Sequence, residues 1–187
     1  MSDDIANLGP LGVLAGVWEG DKGHDTAPDD DRTQTANTPF RERMVFEPIG
    51  DVNNHEQQLY GLRYATTVWR LSTDEAFHEE VGYWLWDADN QQVMRCFVVP
   101  RGVTVVAGGT AAPDARSFSM LAEVGSPTYG ICSNLFLDKE FRTERFELQI
   151  DVHDDNSFSY AEDTVLKIKG QEELFHHRDQ NTLRRVS

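Results

Sequence analysis

The chain has 187 residues, enough for one domain with a sizeable core and too few for two comfortable ones. With 32 acidic against 17 basic side chains it carries a net charge of −15, a field that repels a phosphate backbone, so nucleic acid is disfavoured as a partner. No stretch approaches the roughly 20 apolar residues of a membrane-spanning helix. The two cysteines, Cys96 and Cys132, cannot build a cysteine-based zinc site and are expected to be reduced.

The opening residues are acidic where a secretory signal would be positive, so the protein is expected in the cytoplasm. One short helix is predicted over residues 3–13, where Ile5, Leu8 and Val13 fall near helical spacing before glycine and proline interrupt it, and it reads as a plug or lid. From Val17 onward the chain reads as strands separated by turn residues. About ten are expected, over 16–22, 40–48, 59–71, 78–87, 92–99, 104–109, 117–124, 141–152, 158–169 and 174–186. Such a cadence points to an all-β sandwich or barrel; the fold expected is a closed antiparallel barrel of about ten strands with a short N-terminal helix, formed by residues 1–187 as one domain.

Residues 21–39, rich in Asp, Thr, Ala and Pro and containing Asp29, Asp30 and Asp31, are read as a polar, mobile loop inserted between the first two strands. Alternation places His78, Glu80, Gly82, Trp84 and Trp86 on one strand face, with Val81, Tyr83 and Leu85 on the other. Further along, Arg142, Glu144, Phe146, Leu148, Ile150 and Val152 share a face, as do Phe158, Tyr160, Glu162, Thr164, Leu166 and Ile168. Residues 87–90, 154–156 and 169–170 carry hairpin turn chemistry. Residues 127–137 are left without an assigned element.

Hydrolase, kinase and dehydrogenase templates are missing: there is no nucleophile elbow, phosphate loop or paired-histidine zinc motif. Gly20 and Gly23 flank Asp21 and Lys22 at a spacing better explained by backbone bending than by phosphate binding. What remains is aromatic and imidazole chemistry. Trp84 and His78 either line a cavity or belong to an aromatic core. His176 and His177 are adjacent on a strand, so one must point inward and the other outward. Taken alone, such a pair is more often hydrogen-bonded or at the surface than bound to a metal.

Three blocks in chain order carry a resemblance: Leu11-Gly-Val-Leu-Ala-Gly-Val-Trp-Glu-Gly20, then His78-Glu-Glu-Val-Gly-Tyr83 followed by Pro100-Arg-Gly-Val103, and last His177 with Thr182-Leu-Arg-Arg-Val186. Together they resemble the nitrobindin family, ten-stranded barrels related in shape to fatty-acid-binding proteins. The resemblance implies a ferric haem b held by one histidine of the last strand, nitric oxide binding, and isomerisation of peroxynitrite to nitrate. It implies His177 as the metal ligand, or His176 if the register shifts by one, with His78 and Trp84 as further cofactor-facing residues. Arg178 sits closest to the family's ligand place when counted from the closing leucine, and a bulge would absorb that difference.

A second reading keeps the barrel as a metal-free carrier of a lipophilic or aromatic small molecule, oriented by Arg63, Tyr64 or Trp84. A third has the lumen filled by side chains. A small-molecule ligand is the expected partner under the first two, while enzymatic turnover and pairing into a homodimer are left open.

Overall fold

The computed structural model describes residues 5–187. Among them eleven strands close into one barrel: β1 (Gly16–Pro28), β2 (Thr35–Asn54), β3 (Gln57–Arg70), β4 (Ala76–Asp87), β5 (Gln92–Val99), β6 (Val103–Thr110), β7 (Ser117–Val124), β8 (Gly130–Ser133), β9 (Phe141–Asp154), β10 (Ser157–Ile168) and β11 (Phe175–Arg185). The barrel runs β1-β11-β10-β9-β7-β8-β6-β5-β4-β3-β2, so the last strand seals against the first. Hairpins account for most neighbours. Asp87 accepts from the backbone N–H of Asn90, Asp154 from that of Asn156, and Gly170 takes φ +90, as the turn chemistry of these segments predicted.

Four expectations are corrected. The barrel is not ten antiparallel strands, because β8 lies parallel to β7 and fills the gap where β6 and β7 diverge, pairing Val103 with Ser133 and Val105 with Ile131. A four-residue strand beside Pro127 is too short to show a period. It is followed by the helix α1 (Leu135–Glu140), capped by the Asn134 side chain accepting from Leu137 N–H, so both elements fall in the stretch left unassigned.

The N-terminal helix is also different. Its predicted start lies outside the described residues; Ile5 and Ala6 are helical, and Gly9–Leu14 forms a 3-10 helix, since Gly9, Pro10 and Gly12 break the α pattern. It does serve as a plug: Pro10, Leu11 and Leu14 are buried, and the Leu14 carbonyl accepts from Trp18 Nε1 at 2.7 Å. Trp18, Phe46, Leu62, Trp86, Phe158 and Leu183 pack above it and close that end of the barrel.

Residues 21–39 are not a mobile loop. β1 continues to Pro28 and β2 begins at Thr35, paired through Thr26↔Asn37 and Ala27↔Ala36, because backbone ladder bonds do not depend on side-chain polarity. The tip is tied down as well. Arg32 pairs with Glu140 at 3.2 Å and lies over the Phe141 ring, while Gln171 donates to the Arg32 carbonyl.

The fourth correction concerns faces. In β9 the register shifts opposite Val165 and Leu166, so Thr143 is buried while Arg142 and Glu144 turn outward, against the even alternation expected from residue 142. β1 is bulged in the same way between Gly20 and Gly23. A one-residue shift flips every later side chain, so Trp18 and Asp25 both face inward although their parity differs. Gly23 permits this, since a Cβ there would sit 2.1 Å from the Phe40 ring.

Gly82 marks a second close approach: a Cβ there would meet the Cys96 carbonyl oxygen at 2.0 Å, an atom of backbone that cannot turn aside. Gly82→Ala should therefore lower stability by about 2–3 kcal/mol, measured as a shifted urea midpoint. Val81→Ala, on the exposed outer face, should change it by less than about 0.5 kcal/mol.

Candidate functional site

The sheet order places β5 and β10 on opposite sides of the barrel, and one side chain crosses between them. Arg95 leaves β5 at 4 % exposure and donates from Nη1 to Glu162 of β10 at 2.7 Å. Its Nη2 donates to the Tyr64 hydroxyl at 2.9 Å and to Glu80, and Tyr64 in turn donates to Glu80 at 2.6 Å. The rings of Phe97, Tyr64, Trp84 and Phe146 surround the guanidinium at 4.2 to 5.5 Å. Arg95 thus forms a bar across the lumen.

This bar sorts the carboxyls around it. Burial disfavours ionised Glu80, but Arg95 with the His78 and Tyr64 donors outweighs it and holds the carboxyl down at about 2. Glu162 goes the other way: burial, with repulsion from Asp179, pushes it up to about 8 despite Arg95. Glu42 accepts from Thr66 at 3.0 Å, Tyr160 at 3.0 Å and Asn181 at 3.3 Å, yet burial still lifts it to about 7.

Between the bar and the end opposite the plug lies a cavity of about 1120 Å³, at the upper limit of ordinary small-molecule pockets. One wall is apolar, built from Val99, Val103, Val105, Phe146, Leu137 and Leu166. The other carries Asp25, His78, His177 and Asp179, and Arg70 and Arg101 stand at the rim. His177 Nε2 lies 2.7 Å from Asp25 Oδ1, while His78 Nε2 lies 3.1 Å from Glu80 Oε1. Burial works against protonating either ring, but Asp25 and Glu80 raise His177 and His78 above the ordinary histidine value. Burial also lifts Asp179 to about 7, against the attraction of His177.

Of the site residues expected from sequence, the structure brings four to the lumen: His177, His78, Trp84 and Tyr64 all line the cavity. His176 points outward, where Asp163 meets its Nδ1 at 2.7 Å. Arg63 is exposed and faces Glu47 at 3.5 Å, so it cannot orient a ligand inside, because the neighbouring Tyr64 holds the inward phase. Trp84 and Arg95 are direct cross-strand partners, and Trp84 Nε1 and Arg95 Nε are buried donors without a partner among the described residues.

Asp25, Glu42, Arg95 and Asp179 were not singled out from sequence. Two of them left a signal: Arg95 alternates with Val93, Phe97 and Val99, and Asp179 lies two residues from His177. The inward turn of Asp25 depends on the bulge, which only the Gly20 and Gly23 pair hints at.

Residues 7–185 match the family described as the THAP4-like, heme-binding beta-barrel domain. A peroxynitrite isomerase of Leifsonia xyli subsp. xyli is 39 % identical over 84 residues, a match spanning 44 % of this chain and 37 % of that protein. The crystal structure of Rv2717c from M. tuberculosis superposes with a TM-score of 0.69 over 97 % of this chain and 98 % of that one, at 20 % identity, a likeness of fold.

The buried ionisable groups set the pH dependence of stability. Glu42, Glu162 and Asp179 have raised folded-state values, so their contribution is full below about pH 4.5 and is lost as pH rises through 7 to 8. Raised His78 and His177 act in the same direction above about pH 6.5. Depressed Glu80 contributes above about pH 4.5 and loses that contribution as pH falls toward 2. Stability should therefore peak near pH 4 and decline toward pH 8, each group adding at most about 1.4 kcal/mol per pH unit. Melting temperatures across this range check it, and Glu162→Gln should flatten the alkaline decline. A midpoint that climbs steadily from pH 5.5 to 8.5 would contradict the assignment.

Proposed function

The chain belongs to the family of THAP4-like, heme-binding beta-barrel domains, and from that membership we propose that it holds haem b in the lumen with His177 as the iron ligand. The observation that carries the reading is the placement of His177: of the two adjacent histidines it alone lines the cavity, and one of its ring nitrogens is held by a carboxylate. A metal-bound imidazole typically has its second nitrogen engaged in this way, which fixes the ring and strengthens it as a donor.

The residues present fit such a group. Asp25 would orient the His177 ring, the apolar wall of Val99, Val103, Val105 and Phe146 suits a flat macrocycle and excludes water, and Arg70 and Arg101 at the rim offer positive charge to propionates. Ferric haem bound there supplies an iron position for nitric oxide or for the rearrangement of peroxynitrite to nitrate, the activity named for the Leifsonia relative. His78, held by Glu80 on the same wall as His177, would border the macrocycle from that side.

One observation favours the metal-free carrier instead: Trp84 Nε1 and Arg95 Nε–H would orient a ligand bearing an acceptor oxygen. Haemin titration separates the readings. The wild type should take up one haemin per chain with a Soret band, His177→Ala should weaken uptake on the order of a hundredfold, and His176→Ala should leave it unchanged. Asp25→Asn should cost roughly tenfold. If the wild type takes up no haemin, or His177→Ala binds it as tightly as the wild type, the haem reading fails and the carrier reading replaces it.

A further inference from the structure

We infer that Asp25, His177 and Asp179 form a binding site for a divalent transition-metal ion of the zinc class on the acidic wall of the lumen. Their ligand atoms lie within 4.8 Å of one another, with Asp25 buried and the other two half-buried. The fold creates this set. His177 and Asp179 are two apart on β11 and share its inward face, and Asp25 is the direct register partner of Asp179 across β1. His177 therefore sits diagonally across from Asp25, within reach of a long side chain.

A carboxylate pair in direct cross-strand opposition is an unfavourable arrangement unless a positive charge stands between its members. Asp25 has His177 as its partner, but Asp179 makes no side-chain hydrogen bond among the described residues and lies opposite Asp25 in the register. A dication among the three would compensate both carboxylates at once. The distances are close to those required: ligand atoms on a tetrahedral zinc stand about 3.3 Å apart, and His177 Nε2 and Asp25 Oδ1 are now 2.7 Å apart. A small opening of that pair and a turn of Asp179 would complete three ligands, leaving the fourth position toward the cavity.

The imidazole selects the metal class, because one nitrogen with two carboxylates suits zinc, cobalt or iron(II), whereas calcium and magnesium prefer an all-oxygen set. This site competes with the haem reading for one ring and its carboxylate. A metal held by His177 would block the same imidazole from a haem iron, so the zinc-loaded protein should take up haemin more weakly.

The test is titration of the full-length, chelator-treated protein at pH 7.5 with zinc chloride by calorimetry and with cobalt chloride by visible absorption. The wild type should bind one equivalent, and cobalt should give the intense d–d bands of a four- or five-coordinate site. His177→Ala should abolish that signal, Asp179→Asn should weaken it at least roughly tenfold, and His176→Ala, on the outer surface, should leave it unchanged. Asp179→Asn preserves shape and removes a carboxylate opposition, so it keeps the test open if His177→Ala does not fold, as checked by circular dichroism. No stoichiometric binding by the wild type, or wild-type affinity in the Asp179→Asn and His177→Ala variants, would overturn the site. Haemin uptake by the zinc-free wild type reports on the haem reading separately.

Discussion

A guanidinium cannot discharge itself at any accessible pH, so burying Arg95 across the middle of a barrel obliges the surrounding residues to answer it. Glu80 supplies the compensating charge, Glu162 a second oxygen on the far wall, and Tyr64 a hydroxyl that links Arg95 to Glu80. Removing one member of such a buried set typically costs about 3–5 kcal/mol, because the remaining charge is left without a partner. The bar also divides the interior. Toward one end aromatic rings and the 3-10 plug pack the lumen, and toward the other the cavity opens between an apolar and an acidic wall.

That division explains how one small barrel combines a packed core with a ligand-sized space. In the closed half Trp18, Phe46 and Phe158 meet edge to face, Trp18 to Phe158 at 4.9 Å, an arrangement that needs no polar partner beyond the Leu14 carbonyl. In the open half, desolvation acts on carboxyls, and Glu42, Glu162 and Asp179 respond by holding protons near neutral pH. Any ligand there meets an apolar wall on one side and proton-bearing acids with two imidazoles on the other. Orientation is therefore built into the cavity before a ligand enters.

Two breaks in strand phase decide which residues reach the acidic wall. The bulge between Gly20 and Gly23 turns Asp25 inward beside His177, and the shift in β9 turns Thr143 inward while sending Arg142 and Glu144 out. Without the first, the parity set by Trp18 would leave Asp25 in solvent and the His177 ring without its carboxylate. The hairpin carrying Asp25 is in turn held by Arg32, which reaches Glu140 and Phe141 at the rim. An acidic segment with every compositional mark of a loose loop is, for that reason, part of the wall.

What the sequence determined by itself follows from period and turn chemistry. Alternation in residues 78–86 and 158–168 grouped the side chains that share a face, turn residues located the hairpins, and adjacency of His176 and His177 guaranteed one inward imidazole. The same local patterns made the chain legible as an all-β sandwich or barrel, without deciding between them. Tertiary structure decided the rest, because it depends on contacts between strands far apart in the chain. Which histidine faces the lumen rests on the pairing of β11 with β1 and β10. The partners of Arg95 come from β3, β4 and β10, and nothing in the segment 92–99 announces them. Bulges, too, are settled by register against a neighbouring strand, so the inward turn of Asp25 and the protonation of Glu162 emerge only when the barrel closes and water is excluded.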